Sequence, residues 1–176
     1  MTSVMTAVSD FYPRRLVRDY GDVEGEIVAC RSSVALFDFS FMSLARVSGP
    51  DALKAIARLT GRDLSNMANG RIRYALSYNP NGWLRSDLTI WNEEGGRYIV
   101  MSGHPDDVAD LVDQARSMGK ECSVEDLSDT IAVLSVQGPN ALHALDGLAR
   151  SEEHTSEFQS RRNLVLRHLL EKKILQ

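Results

Sequence analysis

Asp87 is a carboxylate inside the strongest local feature of this sequence, a turn-to-strand stretch, and such a residue needs a reason. It stands in Leu84-Arg85-Ser86-Asp87-Leu88-Thr89-Ile90, an alternation of apolar and polar side chains that reads as a half-buried strand. A period of two puts Asp87 on one face with Arg85 and Thr89, opposite Leu84, Leu88 and Ile90. Such a carboxylate has two readings. It is either a solvated residue on the polar face, paired to Arg85, or a positioned group at a pocket wall, able to hold or polarise an amine. Tyr74, Tyr78 and Tyr98 fall on neighbouring strand segments, where rings either pack a core or floor a planar ligand. His104, His143, His154 and His168 have neither metal-ligand spacing nor a nucleophile to serve, so no metal is predicted. Cys30 and Cys122 form no CxxC pair and read as small buried apolar residues. Gly95-Gly96 lacks a phosphate-cradling pattern and reads as a turn.

The elements that must position these residues follow from periodicity and punctuation. Val23, Ile27, Cys30 and Val34 recur at helical spacing, and the chain then turns through residues 36–40 into the alternating strand 44–47. Pro50 suits a first helical turn, with Ala52, Ile56 and Leu59 on one face and Gly61 as the stop. Ile72, Tyr74, Leu76 and Tyr78 alternate up to the turn Asn79-Pro80-Asn81-Gly82, and the Asp87 strand follows, so the two make a hairpin. Residues 98–101 add a third strand to the meander. Residues 105–117 form a helix with a Pro-Asp-Asp start and a Val108, Leu111, Val112, Ala115 stripe, and strands are expected at 122–124 and 131–136. One pattern occurs twice: Val47-Ser48-Gly49-Pro50-Asp51-Ala52-Leu53 and Val136-Gln137-Gly138-Pro139-Asn140-Ala141-Leu142. In each, a strand leaves through a glycine and a proline opens a helix, which suggests two related α+β units, the second cut short after Leu148. The apolar face around Ile131, Val133 and Leu134 is then expected to be under-covered.

Composition narrows the function classes. The chain has 176 residues, 43% apolar and 25% charged, the balance of a globular protein with room for about one to one and a half domains. No run approaches the ~20 apolar residues of a membrane-spanning helix. The first ten residues lack the basic-then-apolar order of a signal peptide, so a cytoplasmic protein without a membrane partner is expected. Net charge is −4, with six Lys/Arg against four Asp/Glu in residues 150–176 and a net −6 on the residues before them. An acidic body with no Lys/Arg stripe is a poor grip for a phosphate backbone, so no nucleic-acid partner is expected.

The order of several motifs carries more than any one of them. Arg31-x-x-Val34-Ala35-Leu36-Phe37-Asp38-x-Ser40 is followed by Val47-Ser48-Gly49-Pro50-Asp51-Ala52 and Gly70-x-x-x-Tyr74. Then come Asn79-x-x-Gly82-x-x-x-x-Asp87-Leu88-Thr89-Ile90, Tyr98-Ile99-Val100 and Val136-Gln137-Gly138-Pro139-x-Ala141. Across residues 11–149 this order resembles the aminomethyltransferase family, which includes the T-protein of the glycine cleavage system and the folate-binding domains of sarcosine and dimethylglycine dehydrogenases. The resemblance implies an α+β fold, an antiparallel sheet with flanking helices. Residues 1–120 would be the first folate-binding subdomain, and 121–149 the start of a truncated second one.

The resemblance also implies a chemistry. A protein of this family binds tetrahydrofolate and collects a one-carbon unit from an aminomethyl or N-methyl donor as methylene-tetrahydrofolate. The donor is a small amine, or an aminomethyl group on a lipoyl carrier protein. The family's acidic residue falls on Asp87, where a carboxylate orients the amine and stabilises developing iminium-like charge. Its pterin-pocket tyrosine falls on Tyr74, while Tyr98 and Val100 occupy ligand-lining strand positions and Met42 follows the Asp-x-Ser motif. Ser86-Asp87 stands where the glycine-cleavage members have Asp-Asp, Phe41 where they have His, and Trp83 in place of a second Gly. Asp-Leu-Thr and the opening Phe11-Tyr12-Pro13-Arg14 look closer to the sarcosine and dimethylglycine branch. The acidic and arginine folate contacts of the second unit, and the C-terminal barrel-like domain, have no counterpart, so an N-terminal fragment that is inactive alone is expected. Two alternatives stay open. One is a folate-binding module of the iron-sulfur maturation type, whose cysteine motif is absent from these residues. The other is a non-catalytic folate domain fused to a flavoprotein, against which a start at Met1 argues.

From Arg150 the pattern breaks. Arg150-Ser151-Glu152-Glu153-His154-Thr155-Ser156-Glu157-Phe158-Gln159-Ser160 resembles the conceptual translation of a short-read sequencing adapter, with Phe158 where that translation has Leu. Residues 150–176 are therefore expected to be a non-native tail. The other reading is a basic amphipathic helix with Leu166, Leu169, Leu170 and Ile174 along one stripe.

Overall fold

The computed structural model describes residues 8–11, 14–17 and 20–152. They divide into two units, one built from residues 42–132 and the other from the flanking segments 1–41 and 133–176. This corrects the expected boundary at residue 120, and strand pairing is the reason. The strand after residue 121 completes the sheet of the central unit, and the N-terminal residues pair with the second Gly-Pro segment. The basic amphipathic helix that is the other reading of the C-terminal residues, with Leu166, Leu169, Leu170 and Ile174, lies outside the described residues.

In the flanking unit, β1 (Val8–Phe11) and β2 (Arg14–Val17) pair as an antiparallel ribbon. α1 (Val23–Ser32) is capped by Asp22, whose carboxylate accepts from the Gly25 N–H at 3.0 Å. β3 (Ala35–Asp38) follows, where the sequence read only as a turn. In the central unit the elements are β4 (Ser43–Ser48), α2 (Ala52–Thr60), β5 (Ile72–Tyr78), β6 (Leu84–Glu93), β7 (Arg97–Ser102), α3 (Pro105–Met118), a 3-10 turn at Gly119–Glu121 and β8 (Ser123–Asp126). The flanking unit resumes with β9 (Leu134–Gln137) and α4 (Ala141–Glu152).

The central sheet is antiparallel throughout, in the order β5-β6-β7-β4-β8. Its register assigns every side chain to a face. Ala75, Leu88, Ile90, Tyr98, Val100 and Val47 share the face packed against Ala55, Ile56 and Leu59 of α2 and Leu111 and Ala115 of α3. Ile56, Leu88, Ile90 and Leu111 are fully buried, each contributing about 1.5–3 kcal/mol over an exposed position. The opposite face carries Tyr74, Leu76, Asp87, Thr89, Trp91, Ile99 and Met101. Trp91 and Ile99 are buried there, whereas Tyr74 and Asp87, toward the β5 edge, are exposed.

The sequence echo is a structural repeat, closed by the same backbone contacts in both units. The Asp51 N–H donates to Glu121 O at 2.9 Å and Asn140 N–H donates to Ser33 O at 2.9 Å. The acceptor is in each case the carbonyl two residues ahead of the strand that pairs with the incoming one. Ser48 faces Ser123 in the central unit, and Gln137 faces Ala35 in the flanking one. Gly49 and Gly138 turn with φ +108° and +119°. A Cβ at either would lie 2.6 Å from Glu121 O or 2.4 Å from Ser33 O. Glycine is required twice over, by the backbone angle and by the approach of a carbonyl.

Only one of the two repeats is filled in. In the central unit, β4 has β8 on one side and β7 on the other. In the flanking unit, β9 pairs only with β3 among the described residues. Its apolar positions are correspondingly open: Val23, Ile27 and Val28 of α1, Leu36 of β3 and Leu134 of β9 are 44–61% exposed. Val133 is buried and Ile131 half-buried, so the expected under-covering holds at Leu134 alone of the three.

Candidate functional site

β6 presents Asp87 because its alternation is anchored on the other face by Leu88 and Ile90. The register sets Leu76 opposite Asp87 and Tyr74 opposite Thr89, so Tyr74 and Asp87 are diagonal neighbours on one face. The Asp87 carboxylate stands near enough to the Tyr74 hydroxyl to act on it electrostatically. Desolvation first, and then that carboxylate, hold the Tyr74 hydroxyl above its ordinary pKa of 10.0. The Arg62 guanidinium donates to the Tyr74 carbonyl and ties down the outer edge of β5. An exposed carboxylate beside an exposed phenol can accept a cationic nitrogen and floor a planar group next to it.

Arg85 does not pair with Asp87. Its Nη2 lies 2.5 Å from Asp107 Oδ1 and 2.8 Å from Asp110 Oδ2, both on α3. Asp107 is fully buried in the first turn of α3, and the hydroxyls of Ser86 and Ser102 both donate to its Oδ2, the latter at 2.5 Å. Ser77 lies 2.9 Å from Ser86, and Ser86 lies 3.1 Å from Ser102. One serine from each of β5, β6 and β7 therefore joins the cluster. Burial on its own would raise the Asp107 pKa, but the Ser102, Ser86 and Ser77 hydroxyls and the Arg85 charge outweigh it and hold the carboxyl below 3.8.

The remaining site candidates separate by face. Tyr98 and Val100 are corrected from ligand-lining to core positions. Tyr98 pairs with Val47 and Asn92, Val100 with Ala45 and Ile90, and both are buried under α2 and α3, on the side of the sheet opposite Asp87. Met42 is half-buried, one residue before β4. Tyr78 is exposed at the end of β5. His104 caps α3, its Nδ1 accepting from the Asp106 N–H at 3.3 Å, while His143 is exposed on α4. His154 and His168 lie outside the described residues. Cys122 is buried, and desolvation pushes its thiol pKa up, with Asp51 adding to the effect. Cys30 is half-buried.

The Asp107 cluster escapes a reading of spacing alone. Its signal is present nonetheless: Ser77 and Ser86 fall on the apolar face of their strands once Ala75 and Leu88 are set inward. A hydroxyl on a buried face needs a polar partner.

Comparison with known proteins adds to this geometry. The model of the GCVT N-terminal domain family matches residues 4–167, a span that extends past Arg150. The chain is 31% identical over 143 residues to the aminomethyltransferase of Bacillus subtilis (strain 168), covering 81% of this chain and 40% of that protein. It is 34% identical over 131 residues to the aminomethyltransferase of Koribacter versatilis (strain Ellin345), covering 73% and 34%. Among solved structures it is similar to the glycine cleavage system aminomethyltransferase T from Bartonella henselae. The TM-score is 0.69 at 26% identity, over 82% of this chain and 40% of that one. The chain thus spans about 40% of the length of the relatives it matches.

Proposed function

Because the chain belongs to the GCVT N-terminal domain family, we propose that it is part of a tetrahydrofolate-dependent one-carbon transferase, with Asp87 as its reactive carboxylate. The observation that carries this reading is the exposed Asp87 carboxylate, set diagonally beside the exposed Tyr74 on one face of an otherwise well-anchored strand pair. The names of the similar proteins, aminomethyltransferases, support the reaction class. Tetrahydrofolate supplies the nitrogens that accept the carbon. Asp87 holds the donor amine and stabilises the positive charge that develops as its carbon-nitrogen bond breaks, and Tyr74 orients the carboxylate while offering a ring to a planar partner. Asp87 and Tyr74 fit such a ligand in chemistry and exposure; Tyr98 and Val100, sealed in the core, do not. The donor is an N-methyl or aminomethyl amine, free or on a lipoyl carrier protein.

The test is the formation of methylene-tetrahydrofolate by the protein carrying this chain, wild type against Asp87→Asn. Removing one preorganised electrostatic partner is expected to lower the rate about 100-fold or more, with tetrahydrofolate binding retained. An unchanged rate would remove Asp87 from the mechanism. The described chain by itself is expected to bind tetrahydrofolate weakly or not at all. Micromolar binding that is lost in Asp87→Ala would show instead that these residues already make a complete site.

A further inference from the structure

Asp87 is preceded by two residues that are both held from beneath by one buried carboxylate. Arg85 meets Asp107 at 2.5 Å and Ser86 donates to the same group. Asp107 is also reached by Ser102 of β7, and Ser77 of β5 joins through Ser86. The cluster therefore ties the three strands of the meander to the first turn of α3 at a single level. That level is also where the β5–β6 ladder is irregular, since the register shifts between Ser77 and Tyr78. A slip of one residue in a strand sends every side chain to the other face, and a bulge is where such a slip begins. Ionic and hydroxyl groups in this position are harder to accommodate than apolar ones, and their best-attested use elsewhere is to specify one register among several.

We propose that Asp107 is a positioning residue: by holding Arg85 and Ser86 beneath the sheet, it fixes the register of β6 and so aims Asp87 at Tyr74. This rests on Asp87 being the reactive carboxylate, but the geometry it concerns can be examined without any folate.

The reporter is the Tyr74 hydroxyl, whose titration Asp87, its diagonal neighbour, influences and Asp107, on the other face, does not. In the full chain, tyrosine ring-carbon NMR would follow the titration of Tyr74, assigned with Tyr74→Phe, in wild type, Asp87→Ala, Asp107→Asn and Ser86→Ala. The expected result is that Asp87→Ala lowers the Tyr74 pKa, that Asp107→Asn lowers it in the same direction, and that the double variant goes no lower than Asp87→Ala. Ser86→Ala, a gentler break in the same clamp, is expected to lower it part of the way, and it carries the test if Asp107→Asn does not fold. A folded Asp107→Asn or Ser86→Ala protein whose Tyr74 titrates as in wild type, while Asp87→Ala shifts it, overturns the proposal and leaves Asp107 a purely structural group. No shift even in Asp87→Ala also overturns it, since there would be no aimed contact to control. Loss of methylene-tetrahydrofolate formation is read separately, so a failure of the folate reading leaves this result standing.

Discussion

Replacing Gly49 by alanine separates two demands that a Gly-Pro turn can make, and the structure allows each to be sized. The first is conformational. At φ +108° an L side chain is strained, at about 1–2 kcal/mol. The second is steric. The added Cβ would lie 2.6 Å from the Glu121 carbonyl oxygen, a backbone atom that cannot swing aside. Either the turn or the 3-10 segment must back away, which loosens the 2.9 Å bond from Asp51 N–H to that oxygen, worth about 1 kcal/mol, and adds roughly 1–3 kcal/mol of overpacking. Gly49→Ala is therefore expected to cost about 3–6 kcal/mol. Gly82 is the control, because it also turns at positive φ (+82°) but would place nothing within 4 Å of a Cβ. Gly82→Ala should show only the conformational part, about 1–2 kcal/mol. Urea unfolding followed by Trp91 fluorescence, in a Trp83→Phe background that removes the exposed indole, measures both. If the two variants fall within about 0.5 kcal/mol of each other, the carbonyl contact does not hold the turn, and the claim that both units are closed by it fails.

Other outcomes follow from the same contacts. The folded-state pKa of Asp107 lies below its unfolded value of 3.8, so its stabilisation is present above pH 3.8 and lost as the pH falls toward the folded value. Acid titration of stability should accordingly be steeper below pH 4 in wild type than in Asp107→Asn. Leu36→Lys, at a side chain 61% exposed, is expected to change stability by less than about 0.5 kcal/mol while lowering dye binding to apolar surface; a large loss of stability would mean that Leu36 is covered in solution. Sequencing the source DNA through codon 150 tests the adapter resemblance, with the genomic reading expected to depart from Arg150 onward. A genomic sequence that encodes residues 150–176 as they stand would retire it.

How much could be read in advance depended on which forces were local. The meander, α2 and α3 were legible because alternation, helical periodicity and the punctuation by Asn79-Pro80-Asn81-Gly82, Gly61 and Gly119 all act within a few residues. β3 was not, since residues 35–38 are extended only by pairing with β9, about 100 residues later in the sequence. For the same reason the unit boundary was misplaced: β8 looks like the start of a second half until its pairing with β4 is known. At the site, alternation placed Asp87 and Tyr74 on one face, whereas Tyr98 and Val100 were carried over by resemblance and fell on the other. The partner of Arg85 stayed open because the demand of a guanidinium for a carboxylate is visible in sequence, but the choice between Asp87 and a buried Asp107 is made by the helix that arrives later.

The interleaved layout has a consequence for the order in which the protein can be made. The central unit is one continuous stretch, so its sheet and both its helices can close as soon as residue 126 has left the ribosome. β3 precedes the central unit in the chain yet has no strand partner, among the described residues, until β9 emerges after the whole of it. During that interval the nascent chain carries Leu36 and Phe37 on an unpaired strand edge, beside a helix that buries none of its apolar residues. A strand made before the central unit thus completes its pairing only after it, and the window in which it waits is where a chaperone would have most to do.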